Sequence, residues 1–291
     1  MKEKYTALSP FMQVVLLLVI GGVCFLVLSM LIASILHALF GALPSSPMFL
    51  AESHPIVFML LYFVPFQVGF ILIPGLLYQF LQPKENNLFM SPKFFRSGLI
   101  WSLLLFVSVF LLLPVLTEVN IFITQQLGLF EYLEAQKLLA DEQIALLIGA
   151  EVSETAFVFG LLVIGVLTGV AEELLFRGFI FHHLLKNTGQ VWKSVLISAL
   201  LFAILHFNFI QLIPLFFFGL ALAVIYFVTG RLVICIVLHS ANNILNIYWM
   251  RSGGMPDWME NTYWWIALPA LALLFMLMYI GNPRTWTVKK T

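Results

Sequence analysis

The sequence predicts an all-α, polytopic membrane helix bundle of about eight transmembrane helices. Of the 291 residues, 62% are hydrophobic and only 10% are charged, whereas a soluble domain carries roughly 25% charged residues. The mean hydropathy is +1.04, and long apolar segments recur along the chain. This composition indicates the membrane lipid bilayer as a partner. The formal net charge of zero gives no support to nucleic-acid binding.

The individual spans follow from the length that a helix needs to cross a bilayer. About 20 mostly apolar residues are required, because each residue adds about 1.5 Å across a hydrocarbon core of about 30 Å. The segments that qualify are 11–36, 55–80, 98–116, 156–181, 191–207, 212–228, 232–249 and 264–280. The fifth to seventh segments are short, so the error most to be expected in this count is that two of them form a single span. Together the segments predict one integral membrane domain over residues 1–291.

The distribution of basic residues predicts that both termini lie in the cytoplasm. With the N-terminus inside, most Lys and Arg residues fall on the cytoplasmic side, as the positive-inside rule requires. Lys137 and Arg251 fall outside, and Arg177 lies within the membrane. The residues that fall inside are Lys2, Lys4, Lys84, Lys93, Arg96, Lys186, Lys193, Arg231, Arg284, Lys289 and Lys290.

Two connecting regions are longer than a turn. Residues 81–97 combine prolines, asparagines and basic residues, which is typical of a cytoplasmic surface loop. Residues 117–155 are acidic with interspersed leucines. Part of this second region is expected to form a helix lying on the outer face, with a solvated linker as the equally supported alternative.

Ionisable residues inside a predicted span are costly and by default mark a functional site. The fourth span contains the adjacent residues Glu172 and Glu173, followed by Arg177. Glu173 and Arg177 are four residues apart and therefore suited to an ion pair on one helix face. Glu172 points about 100° away, which keeps its carboxylate available. In the structural alternative, all three side chains pair with one another and only hold helices together.

Two further spans carry polar residues at a similar depth. His206 ends the fifth span, and His239 and Asn243 share one face of the seventh. Counted from the nearest cytoplasmic basic residue, Glu172 and His206 lie about 20 Å deep, His239 about 12 Å and Asn243 about 18 Å. A lone histidine in an apolar helix is more often a hydrogen-bonded core residue. Their shared depth favours a single buried polar site.

The order of these residues resembles the signature of the CaaX prenyl endopeptidase and bacteriocin-processing (CPBP, Abi) family of intramembrane proteases. The motifs are Glu172-Glu173-x-x-x-Arg177, Phe202-x-x-x-His206 and His239-x-x-x-Asn243, each on a separate predicted span. The resemblance covers residues 156–249, which it marks as the catalytic core, and it implies an intramembrane endopeptidase.

The resemblance also implies a role for each residue. Glu172 would be the general base, and His206 would position or activate the attacking water. His239 and Asn243 would stabilise the oxyanion, while Glu173 and Arg177 would brace the helix. The chemistry is consistent, because a carboxylate in a low-dielectric site is a stronger base and preorganised donors stabilise developing charge most in a dry site.

The sequence is also compatible with another mechanism and with other functions. Zinc held by Glu172, His206 and His239 is the alternative to a metal-free site, which is favoured because no His-Glu-x-x-His helix is present. Outside proteolysis, an ion- or proton-coupled transporter and a non-catalytic immunity or partner-binding protein are the rivals. No inverted repeat supports the transporter. The expected partner is a peptide or protein substrate, with lipidated chains among the candidates, and the expected location is a bacterial plasma membrane.

Overall fold

The computed structural model describes residues 2–41, 46–82 and 97–256, together with residues 268, 270 and 271. All regular structure in these residues is helical, which confirms the predicted fold class. The helices are α1 (Lys2–Thr6), α2 (Pro10–Phe40), α3 (Pro47–Ser53), α4 (Pro55–Leu81), α5 (Ser97–Gln126), α6 (Phe130–Ile148), α7 (Glu154–Thr188), α8 (Val191–Leu205), α9 (Leu212–Thr229) and α10 (Leu232–Ser252).

Six of these helices are long and apolar enough to cross a membrane, namely α2, α4, α5, α7, α9 and α10. They correspond to six of the eight predicted spans. The predicted span 191–207 is the apolar helix α8, whose 15 residues extend only about 22 Å. The predicted span 264–280 and most of the loop 81–97 lie outside the described residues. The count of eight and the cytoplasmic termini stay predictions.

The third span differs most from its predicted bounds. The helix α5 continues past residue 116 to Gln126, because the polar residues that follow contain neither proline nor glycine and so do not stop a helix. Within the helix, the Thr117 hydroxyl donates a hydrogen bond to the Leu113 carbonyl oxygen, 3.0 Å away. The acidic region 117–155 contains the expected helix, α6. Its place on the outer face stays a prediction.

Wide helical turns, in which hydrogen bonds span five residues, interrupt α4 and α7. They cover Met59–Phe63 and Phe66–Leu72 in α4, and Leu161–Leu167 and Leu174–Phe181 in α7. Between the two wide stretches of α7, the segment Thr168–Glu173 is ordinary α-helix. Such local widening changes the direction in which side chains point and is frequent at functional sites.

The helix packing divides the chain into two units, the first formed by residues 1–87, 139–179 and 236–255. In the first unit, α4 packs against α2 and α7. At the end of α10, Arg251 donates from Nη1 to the carbonyl oxygens of Gly149 and Val152 at 3.2 and 3.1 Å. Its guanidinium lies over the Phe157 ring, 4.2 Å from the centroid. These contacts tie the end of α10 to the beginning of α7.

The second unit comprises residues 88–138, 180–235 and 256–291. Here α9 packs against both α5 and α8. The buried amide of Asn120 fixes the start of α9, since it donates to the Phe209 carbonyl oxygen at 3.1 Å and accepts from the Ile213 amide at 2.9 Å. Gly230, with φ of 63°, ends α9 in the left-handed conformation that glycine adopts without strain.

Candidate active site

The two adjacent glutamates of α7 occupy different environments. The Glu173 side chain is fully buried and pairs with the equally buried Arg177, with 2.8 Å between Oε1 and Nη1. The ion pair predicted from the four-residue spacing is therefore confirmed. The side chain of Glu172 is 14% exposed. Of the two carboxylates, Glu172 is the one that a small molecule can approach.

The imidazole of His239 lies between these carboxylates. Its Nδ1 is 2.8 Å from Glu173 Oε1, and its Nε2 is 3.8 Å from Glu172 Oε2. Because an ionised carboxylate only accepts hydrogen bonds, Nδ1 carries the proton and donates it to Glu173. Glu173 thus fixes the ring orientation of His239 in addition to pairing with Arg177. The sequence motif had indicated only the bracing of the helix.

Two glycines of α7 allow α10, the helix that carries His239, to approach α7 closely. A methyl group at Gly169 would lie 2.4 Å from Ser240 Oγ and 3.0 Å from the Ser240 backbone nitrogen. At Gly165 it would lie 2.9 Å from Ile244 Cγ1. Sequence reasoning missed both residues. The signal was available, since small residues four apart in a membrane helix are typical of close helix contacts.

Asn243 lies one turn beyond His239 on the same side of α10. Its Nδ2 is 3.5 Å from the carbonyl oxygen of Gly165, which is longer than the usual N–H···O range of about 2.7–3.2 Å. The amide is half-buried. Since this contact holds the side chain only weakly, Asn243 can turn its donor to a stronger acceptor such as an oxyanion.

Phe202 and His206 belong to the second unit. The Phe202 ring is buried, and its centroid lies 4.4 Å from that of the His206 ring. His206 Nδ1 donates to the Phe202 carbonyl oxygen at 2.6 Å, so the neutral ring presents Nε2 as an acceptor. The next residue, Phe207, has φ of 53°, which is uncommon for a bulky side chain.

The structure therefore brings together five of the seven predicted site residues. Glu172, Glu173, Arg177, His239 and Asn243 form one cluster in the first unit. That Phe202 and His206 complete the same site stays a prediction. In the cluster, a partly accessible carboxylate faces a histidine whose orientation is fixed by a second, buried carboxylate.

The cluster lies in a part of the chain that matches a known protein family. Residues 154–245 match the family model described as "Rce1-like: Type II CAAX prenyl endopeptidase Rce1-like". The chain contains an Rce1-like domain. This finding confirms the family resemblance, and all seven predicted site residues lie within the Rce1-like domain. In general terms, the match supports an intramembrane endopeptidase. No curated protein and no solved structure matches the chain.

Proposed function

We propose that the chain hydrolyses a peptide bond in the membrane with a water molecule activated by Glu172. The observation that supports this proposal best is the position of His239 between two unequal glutamates. Glu173 is buried and paired with Arg177, whereas Glu172 is partly accessible and lies 3.8 Å from His239 Nε2. At this distance, Glu172 Oε2 and His239 Nε2 can both form a hydrogen bond with one water molecule that lies about 2.8 Å from each.

The chemical steps follow from the donors and acceptors of these groups. Glu172 takes a proton from the water, and the water oxygen attacks the carbonyl carbon of the scissile bond. The carbonyl oxygen then becomes an oxyanion, which accepts hydrogen bonds from His239 Nε2 and Asn243 Nδ2. Glu172 passes its proton to the leaving nitrogen as the carbon–nitrogen bond breaks. General base catalysis of this kind contributes about 10²–10⁴-fold to a rate.

The charge of the cluster is consistent with His239 as an oxyanion donor. Its Nδ1 proton is committed to Glu173, so Nε2 donates only when the ring carries both protons. The two glutamates and Arg177 have a summed charge of −1, and a protonated His239 brings the sum to zero. A neutral group of mutually paired charges is the least costly arrangement in an apolar interior.

His206 is proposed to position the attacking water. Its Nδ1 donates to the Phe202 carbonyl oxygen, which directs the acceptor character of the neutral ring to Nε2. An acceptor of this kind orients the water's second hydrogen while Glu172 removes the first. Phe202 is proposed to support the His206 ring through the tilted contact between the two rings.

The proposed substrate is a peptide or protein at the membrane. Because the printed description of the family names CAAX prenyl endopeptidases, peptides with a lipidated cysteine near the C-terminus are the first class to test. Unlipidated membrane-associated peptides are the second class. The proposed location is the plasma membrane of a bacterium.

Zinc chemistry is the alternative that the residue types suggest. Zinc bound by Glu172, His206 and His239 would activate the attacking water. In the described part of the chain, however, no group of three or more His, Cys, Asp or Glu side chains is arranged to hold a metal ion. The proposed steps use no metal ion, and a chelator in the cleavage assay distinguishes the two mechanisms.

The proposal is tested with purified full-length protein in detergent. Wild type, Glu172→Ala and the control Glu118→Ala, which removes an exposed carboxylate from α5, are first compared by thermal melting. Cleavage of a mixed peptide library is then measured with and without chelator, and the metal content of each sample is determined. Cleavage by wild type and Glu118→Ala but not by Glu172→Ala supports the proposal. Equal cleavage by all three overturns the role of Glu172, and loss of activity with chelator overturns the metal-free mechanism.

A further inference from the structure

Gln67, in the middle of α4, is a buried amide that the sequence motifs do not include. Only 7% of the residue is exposed, and its side-chain oxygen has no hydrogen-bond partner among the described residues. Native structures satisfy nearly all buried polar groups, so an exception calls for an explanation. Gln79, buried in the same helix, shows the usual arrangement because its amide donates to the Gly178 carbonyl oxygen.

The packing of α4 indicates the direction in which Gln67 points. Gly69 faces α2, since a methyl group there would lie 2.5 Å from the Phe25 backbone nitrogen. Residues two apart in a helix point about 160–200° away from each other. Gln67 is therefore turned away from α2. The other long helix that packs against the stretch Phe66–Leu72 is α7, through Thr168–Glu173, which is the segment that carries Glu172.

The contacts between α4 and α7 show which residue of α7 lies at the same level as Gln67. The two helices run parallel, because Gly75 packs against Leu174 and Gln79 bonds to Gly178. Counted back along both helices from these contacts, Gln67 lies level with residue 166. This level is six residues before Glu172, or about 9 Å along the helix axis.

We infer that Gln67 binds the main chain of the peptide substrate two or three residues away from the scissile bond. This inference rests on the proposed function. An extended peptide advances about 3.3 Å per residue, so two or three residues cover the distance from Glu172. Gln67 is then a substrate-binding residue that holds the peptide along α7.

The chemistry of a carboxamide suits this ligand. The side chain of Gln67 offers one acceptor and two donors, which match the N–H and C=O groups of a peptide. A half-turn about its terminal torsion exchanges the oxygen and the nitrogen at little cost, so either end can face the substrate. Main-chain hydrogen bonds of this kind do not depend on the side chains of the substrate.

The experiment compares Gln67→Met with the matched control Gln79→Met in the full chain. Both replacements remove a buried amide from α4 and retain its approximate volume. Gln79→Met loses a hydrogen bond within the protein, so its melting temperature should fall while its KM stays unchanged. Gln67→Met removes an oxygen without an internal partner, so its melting temperature should stay the same or rise. Its KM for peptide should rise about threefold to tenfold, with kcat nearly unchanged.

The substrate probe is the quenched-fluorescence library peptide that wild type cleaves fastest. Versions of this peptide carry an ester in place of one main-chain amide, two or three residues to either side of the scissile bond. For wild type, one of these esters should raise KM by the same threefold to tenfold factor, about the value of one hydrogen bond. For Gln67→Met, the amide and that ester should be cleaved with equal KM.

The outcomes separate this inference from the proposed function. An unchanged KM in Gln67→Met, ester sensitivity that persists in that variant, or a melting temperature that falls as in Gln79→Met would each overturn the role of Gln67. In those cases, loss of cleavage in Glu172→Ala would still support the proposed function. If wild type cleaves no lipidated or unlipidated peptide, the proposed function fails and the inference fails with it.

Discussion

Replacing Gly169 with alanine is the perturbation that probes the contact between α7 and α10 most directly. The added methyl group would lie 2.4 Å from Ser240 Oγ and 3.0 and 3.1 Å from the Ser240 backbone nitrogen and Cα. Ordinary contacts between such atoms are about 3.5–4.0 Å. The serine hydroxyl can rotate away, but the backbone atoms cannot. The helix α10 must therefore move outward by a few tenths of an ångström.

This displacement acts first on the hydrogen bond between His239 and Glu173. The bond is 2.8 Å long, and the movement would lengthen it towards the usual limit of about 3.2 Å. A 1 Å misplacement in an active site can lower a rate about 100-fold, so the smaller shift expected here should lower the rate of peptide cleavage about 3- to 10-fold. Overpacking costs about 1–3 kcal/mol, of which the helix preference of alanine offsets roughly 0.5–1 kcal/mol.

The assay is the cleavage rate of a library peptide, combined with thermal melting in detergent. Gly22→Ala in α2 is the matched control, because a methyl group there meets nothing within 4 Å. This control should retain full activity and melt at the same or a slightly higher temperature. The double variant Gly169→Ala/Ser240→Gly removes only the hydroxyl contact and should recover little activity, because the contacts with the backbone nitrogen and Cα of residue 240 remain. If Gly169→Ala matches Gly22→Ala in cleavage rate and melting temperature, the close approach of α10 to α7 does not depend on Gly169.

Three other predictions follow from the same geometry. Arg177→Met should lower the free energy of unfolding by about 3–5 kcal/mol, because it leaves the buried cluster with an uncompensated negative charge. Adding Glu173→Leu should restore part of the melting temperature, since it removes that charge, but not peptide cleavage, since His239 loses its acceptor. Asn243→Ala should lower kcat about 10²–10³-fold with little change in melting, whereas Asn246→Ala on the same helix should leave both unchanged, and equal kinetics in the two variants would exclude an oxyanion role. Phe207→Gly should raise the melting temperature slightly, since a left-handed conformation costs a bulky residue about 1–2 kcal/mol, and a lower melting temperature would contradict this explanation.

The membrane helices could be predicted because the apolar runs are long and uninterrupted. Hydropathy located six helices of spanning length in the described residues, but it placed the end of α5 too early. Residues 117–126 are more polar than those before them but contain no proline or glycine, so the helix continues past the end of the apolar run. Hydropathy measures transfer into lipid, whereas a helix ends where its backbone hydrogen bonding is interrupted.

The local part of the candidate site was also predictable, while its long-range part was not. The pair Glu173–Arg177 follows from a four-residue spacing on one helix. The bond from His239 to Glu173 joins residues 66 apart in the sequence, and it depends on how closely two helices approach. That approach is set by Gly165 and Gly169, which lack chemically reactive side chains. Gln67 was missed because it carries no charge and belongs to none of the motifs.

The most direct test of the account is the initial rate at which wild type and Glu172→Gln cleave the same peptide, with both proteins shown to be folded by thermal melting. The glutamine retains the shape of the side chain but cannot accept the proton from water. We predict that the rate falls about 10²–10⁴-fold while the melting temperature is unchanged. A Glu172→Gln protein that cleaves the peptide at the wild-type rate would contradict the central role of this carboxylate.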